Sequence, residues 1–247
     1  MTTQPLFVPQ PNQSNVLTAL RAFLLQVLPA NTPVIQAQIN RVSEPSNTDF
    51  VLMTPTRNTR LATNLDEVVD CAFTASASGT VLTVSAILLG TIVLDHQLMG
   101  ATVTGSPVIV SQSSGTPGKA GVYVLSASQP TITSETMACG VFEATQSVEV
   151  CVQLDVHGPN SADNAQVIST LFRDEYAVDQ FTTSGFDVAP LYADDPKQLP
   201  FENENQQIEM RWVIDAMMNA NQTVTAPQAF FTAVKIGLVP VDIFYAA

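Results

Sequence analysis

Acid–base or metal chemistry in this 247-residue chain would have to start from His96 and His157, its two histidines. His157 follows Asp155 at the two-residue spacing that puts both side chains on one face of a strand. That is the minimum for an acid–base pair or two metal ligands. The plainer reading is a strand-end histidine beside the turn His157-Gly158-Pro159-Asn160. No HxH, HExxH or clustered Cys/His spacing accompanies either residue, so a metal site is not indicated. Cys71, Cys139 and Cys151 are odd in number and far apart, which excludes reading a disulfide framework or a CxxC pair. Gly115-Thr116-Pro117-Gly118-Lys119 looks like a phosphate loop only superficially. Ala120 stands where the hydroxyl residue after the lysine belongs, and no helix is expected there, so it reads as a hairpin loop. There is no GxSxG elbow. The Asp194-Asp195 pair is more economically a solvated or inter-subunit loop than a cation site. The expectation is a non-enzyme, with no catalytic residues, no cofactor and no metal.

Composition narrows the class. Apolar residues make up 46% of the chain and charged residues 13%, with a formal net charge of −13. Globular proteins usually carry about 25% charged residues. A chain this apolar buries a core rather than staying disordered, and so little charge hints at surface hidden in an assembly. Nine Lys and Arg in all, scattered, form no basic run to neutralise phosphates, so negligible affinity for duplex DNA is expected. The first eleven residues lack the basic start and apolar core of a secretion signal. The longest apolar stretch, Val84 to Leu94, is too short to span a bilayer. No membrane association is expected, and the protein should be soluble and intracellular during assembly.

The elements that would position these residues begin with an arm rich in Pro and Gln over 1–13. Ser14 is placed as the cap of a helix with Val16, Leu17, Leu20, Phe23, Leu24, Val27 and Leu28 at helical spacing. Strands follow at Val34–Ile39 and Asp49–Thr54, the second stopped by Pro55. A polar loop, 56–64, then carries Arg57 and Arg60. From 73 to 141 the only charged residues are Asp95, Lys119 and Glu135. Short β-branched runs there alternate with Gly and Pro turns, which predicts several short strands in a small all-β domain inserted into a loop. Cys71 and Cys139 lie near its two ends. They are neighbours if the insertion closes there, and otherwise two unrelated buried thiols. Beyond it, Val148, Val150, Val152, Leu154 and Val156 alternate with polar residues in a long strand. A helix capped by Asn160 or Ser161 carries its apolar stripe as far as Tyr176. An acidic loop, 185–207, contains Asp187, Asp194, Asp195, Glu202 and Glu204. A strand from Ile208 to Asn219, a short helix capped at Thr225 with Phe230 and Phe231 as anchors, and a strand Val234–Phe244 complete the pattern. The fold class expected is α+β: a mixed or antiparallel sheet with packed helices, residues 1–72 and 142–247, plus the inserted domain 73–141.

Several stretches give the chain an identifiable look. Val152-Gln153-Leu154-Asp155-Val156-His157-Gly158-Pro159-Asn160-Ser161-Ala162-Asp163-Asn164-Ala165, continuing through Leu171 to Tyr176, is the strongest. Phe186 to Pro196, Gln206 to Asp215 with its Arg211-Trp212 pair, and Leu17 to Leu24 accompany it. In these stretches the chain resembles phage neck and tail terminator proteins, and the likeness covers most of 14–72 and 142–244. Gly115 to Gly118, Gly121 to Val124 and Ser126 to Gln129 are similar to a Ser/Thr/Gly-rich β-module of phage structural proteins. The resemblance implies a structural virion protein, a hexameric ring that caps the head-proximal end of the tail tube. Such a ring ends tail polymerisation and joins the tail to the head connector. The partners implied are further copies of the chain, the tail tube protein, a head–tail connector or neck protein, and a sheath where one exists. DNA passes through the lumen without specific binding. Another neck or connector ring, or a surface-binding module acting through the β insert, are the alternatives. Long loops are where function concentrates, so Arg57, Arg60, Asp187, Asp194, Asp195, Glu202 and Glu204 are the expected subunit contacts. The inserted domain is expected on the outside of the ring.

Overall fold

The computed structural model of the protein describes residues 8–37, 49–199, 201–202 and 208–228. Its elements in chain order are α1 (Gln13–Val27), β1 (Val34–Gln36), β2 (Phe50–Arg60), β3 (Leu65–Val69), β4 (Ala72–Leu89), β5 (Met99–Gly100), β6 (Ile109–Gly115), β7 (Gly121–Ala138) and β8 (Val141–His157). Then come α2 (Ser161–Phe172), α3 (Glu175–Thr183), β9 (Val188–Ala193), β10 (Lys197–Gln198), β11 (Phe201–Glu202), β12 (Ile208–Glu209) and β13 (Arg211–Pro227). Strands dominate, with three helices among the described residues. Those within Met1–Asp66 and Ala144–Thr225 form one compact unit, and those within Glu67–Glu143 and Ala226–Ala247 a second.

The first unit is organised by a seven-stranded sheet whose main path runs β1-β2-β8-β13-β10, with β9 also on β13. The β1–β2 pair is parallel, while β2–β8, β13–β9 and β10–β13 are antiparallel. Alternation decides which face is apolar. Val148, Val150, Val152, Leu154 and Val156 of β8 share one core with Val51 and Met53 of β2 and with Ile214, Ala216 and Met218 of β13. Onto that core α1 lays Val16, Leu17, Ala19, Leu20, Phe23 and Leu24, all buried. The helices are locked by three aromatic rings. Phe172 meets Phe23 edge-on at 5.5 Å and Phe181 at 6.0 Å, the arrangement the ring quadrupoles favour.

The second unit is a four-stranded sheet in which β7 pairs with β4, β5 and β6, all antiparallel. Its core is its own: Phe73, Leu82, Ile92, Leu98, Ile109, Tyr123, Ile132 and Met137 are buried together with Cys71 and Cys139. A buried glutamine holds one of its loops. Gln129 accepts the Thr104 amide at 2.8 Å and donates back to the Thr104 carbonyl at 3.1 Å. Gly90 lies at φ +71 with the Asp70 carbonyl where a side chain would go, so glycine is required there on both counts.

Several expectations are corrected. Asn12, not Ser14, caps α1, exchanging hydrogen bonds with Asn15 at 2.9 and 3.1 Å. That reciprocal box satisfies two amide donors that helix geometry leaves open. The described end of the arm is held in place: Gln10 bridges Thr223 in both directions and Pro11 is buried. Pro55 does not stop the second strand. A register shift between Pro55 and Arg57 absorbs it, as bulges do for residues with no N–H to give, so Arg57 and Arg60 sit on a strand. β8 starts at Val141, seven residues before the strict alternation begins. The stripe ending at Tyr176 belongs to two helices, broken where Asp174 caps α3 by accepting the Tyr176 amide at 3.0 Å. The acidic segment is not a loop, because β9 and β10 pair with β13. Thr225 and Pro227 extend β13 rather than start a helix. The 73–141 region holds two 18-residue strands, β4 and β7, where several short ones were expected. Phe230, Phe231, Val234–Phe244, Glu204 and the end of the strand expected at Val34–Ile39 lie outside the described residues.

Candidate assembly surface

The two histidines take up structural positions. His157 ends β8 opposite Phe50, and the two rings stack at 4.5 Å and 6°. Asp155 is committed elsewhere. Its Oδ1 accepts from Arg211 Nε at 2.9 Å and Nη2 at 2.6 Å, and from Gln153 Nε2 at 3.0 Å. The ion pair is sheltered, with the Asp155 side chain only 8% exposed. His96 follows a turn, with Nδ1 3.1 Å from the Cys139 carbonyl. The 115–119 segment is the hairpin loop between β6 and β7. Gln112 Oε1 accepts the Gly118 amide at 3.0 Å, and its Nε2 donates to Ser114 and Thr116 carbonyls, leaving a closed loop. Among the described residues no three His, Cys, Asp or Glu side chains gather as a metal cluster would require. No described helix is long and apolar enough to cross a membrane.

The charged residues expected at subunit contacts fall into two separated groups. Arg57 and Arg60 are exposed on β2. Arg57 Nη2 reaches Glu149 at 3.4 Å, while Arg60 donates to the Ala62 carbonyl and to Asn64 Oδ1, both at 2.8 Å. Three strands away, beyond β8 and β13, lies most of the acidic group. Asp187 precedes β9 and accepts from Asn221 Nδ2 at 3.2 Å through both oxygens. Asp194 is half-buried, its amide donating to the Asp215 carbonyl at 2.9 Å. Asp195 is almost wholly exposed, 3.6 Å from Arg173, whose guanidinium is itself held by the Ala193 carbonyl. Glu202 is in β11. Within one subunit the structure therefore does not bring the basic and acidic groups together. It sets Arg57 and Arg60 toward one flank of the seven-stranded sheet and Asp187, Asp194 and Asp195 toward the other, while Glu202 belongs to the separate β11–β12 pair.

The sheltered Asp155–Arg211 pair was missed by sequence reasoning. Its signal was available: one acid and one base, each at a polar position of a long alternating strand. What was missing was the knowledge that β8 and β13 are neighbours. Cys71 and Cys139, left open as neighbours or strangers, are 3.0 Å apart through their sulfurs. Burial pushes the Cys151 thiol up, against a lowering hydrogen bond from Thr56.

A model of the phage neck terminator protein family matches residues 84–243. That is more than half of the chain, and it takes in the end of β4 and all of β5 to β13 while leaving out the Leu17–Leu24 stretch. No curated protein matches the chain.

Proposed function

This chain belongs to the phage neck terminator protein family, a structural phage neck protein of the virion, and from that premise we propose that it works as a closed ring. The ring, hexameric, caps the head-proximal end of the tail tube, stops tube growth and presents a surface to the head connector. The family match carries the reading. The sheet geometry supports the mode of closure. A ring is built from heterologous contacts, in which one flank of a subunit meets a different flank of the next. Arg57 and Arg60 toward one flank, and Asp187, Asp194 and Asp195 toward the other, suit such a contact. Electrostatic complementarity of this kind fixes register and partner more than it adds affinity.

The partners on this reading are further copies of the chain, the tail tube protein, a connector or neck protein and, in contractile particles, the sheath. Catalysis has no part in it, nor has a cofactor. A net charge of −13 lets DNA pass the lumen without being gripped, since tight binding needs cationic side chains to release the phosphate counterions. Residues 73–141 act as an autonomous β domain, a reading supported by the separate core around Phe73 and Tyr123.

Removing the gene product from an infection tests the proposal. The expected lysate contains filled heads without tails, and tubes of uncontrolled length. Particles of normal length and joined normally would overturn it.

A further inference from the structure

We infer that Cys71 and Cys139 form a redox-convertible cross-strand dithiol, closed to a disulfide by hydrogen peroxide at the end of the β4–β7 ladder. The geometry carries the inference. Ala72 pairs with Ala138 in the antiparallel β4–β7 ladder, so the next pair outward is Cys71 opposite Cys139. The Cys139 amide donates to the Cys71 carbonyl at 3.1 Å, which fixes them as direct partners although 68 positions separate them in sequence. Directly opposed residues of antiparallel strands have Cα atoms about 4.5–5.5 Å apart, inside the roughly 4.4–6.8 Å range a disulfide accepts. The Cys139 thiol already points at its partner, donating to the Cys71 sulfur at 3.0 Å. Bond formation therefore needs little backbone movement.

The surroundings distinguish the two sulfurs. The hydrogen bond from Cys139 lowers the Cys71 thiol below its ordinary range, with a smaller lowering from the Lys119 charge, and burial opposes both. The same hydrogen bond, together with burial, pushes the Cys139 thiol up. Of the two sulfurs, Cys71 is therefore the one that gives up its proton more readily, and Cys139 the one that keeps it. Both residues are buried, at 2% and 0% exposure, which favours a water-sized oxidant over a bulky disulfide. The Cys71 thiolate attacks one oxygen of peroxide. The O–O bond breaks, a sulfenic acid forms on Cys71, and the departing hydroxide takes up a proton to become water. The Cys139 sulfur then attacks the Cys71 sulfur. The S–S bond forms as the S–O bond breaks, and hydroxide leaves with the Cys139 proton as a second water. Two thiols and one peroxide become one disulfide and two waters, the sulfurs losing two electrons and the peroxide gaining them. Cys151, also buried, lies in β8 and has no part in this pair. A virion component moves from a reducing cell interior to an oxidising medium, which gives the conversion an occasion, but the chemistry does not depend on the neck reading.

The test uses the full chain, reduced and then exposed to excess hydrogen peroxide, quenched, denatured and labelled with a thiol-specific maleimide. Intact mass should show that two of the three labelling sites are lost. Peptide mapping should join the Cys71 and Cys139 peptides, and dithiothreitol should restore all three sites. Cys151→Ser should leave the cross-link intact, while Cys71→Ser and Cys139→Ser should each abolish it. Should either of the last two fail to fold, the map of the wild type and of Cys151→Ser still decides. Three thiols still labelled after peroxide, separate sulfinic acids on the two residues, or a bond to Cys151 or to another chain would overturn the inference.

Discussion

Arg211 carries more of the first unit's stability than an exposed arginine would. It is three-quarters buried and bonded through two nitrogens to a carboxylate nearly out of water. Removing one member of a buried pair strands the other, at a cost of about 3–5 kcal/mol. Arg211→Met should therefore lower the unfolding free energy by roughly 3 kcal/mol in urea titrations. A change below about 0.5 kcal/mol, the usual size for a surface substitution, would show that Asp155 finds water when Arg211 is gone. The exposed pair Arg57–Glu149 is the opposite case. Ion pairs of that kind contribute about 0–1 kcal/mol, so the double reversal Arg57→Glu with Arg60→Glu should leave the urea midpoint almost unchanged. It should weaken subunit association at least tenfold in sedimentation analysis. Wild-type association by the double variant would remove these two residues from the contact.

At the scale of elements, the three-ring cluster of Phe23, Phe172 and Phe181 ties all three helices to one another. Truncating a buried phenylalanine costs about 3–5 kcal/mol, so Phe172→Ala should destabilise the chain by that amount in chemical unfolding. The test fails if the helical circular dichroism and the midpoint both survive. Helix α1 and the alternating part of β8 were legible because each buries one face, and one-sided burial writes its period into the sequence. Val148 to Val156 and the α1 stripe are the clearest cases. Where legibility failed, backbone irregularity was the reason. Pro55 looked like a strand breaker, yet it sits at a register shift, as Pro190 of β9 does, where a bulge accommodates a residue with no N–H. The Gly and Pro turns expected between short strands in 73–141 do not break β4 at Gly79, because three register shifts let β4 and β7 run on through that region. The α2–α3 break was hidden because the apolar stripe continued across it while the capping signal at Asp174 is a single residue. Of the candidate surface, the residues were chosen for charge and for lying in expected loops. Those among the described residues lie on or beside sheet strands. Their separation toward two flanks depends on strand order, which no single-sequence pattern encodes.

For the whole molecule, the near-absence of charge between 73 and 141 matches a unit that keeps a core of its own. Loop-closure entropy grows only logarithmically with loop length, so a host can carry such a segment at small cost. Replacing 73–141 with a short Gly/Ser linker should leave a folded, monodisperse remainder. Aggregation of that variant would mean that the segment is part of the host's own core. The central claim is capping at one end of the tube. It is met most directly by electron microscopy of tail tubes grown with the purified chain carrying a gold label. Label confined to a single end, on a ring-shaped density, with tube growth halted there, is the result the account predicts. Label spread along the tube, or tubes that lengthen as if the chain were absent, would contradict it.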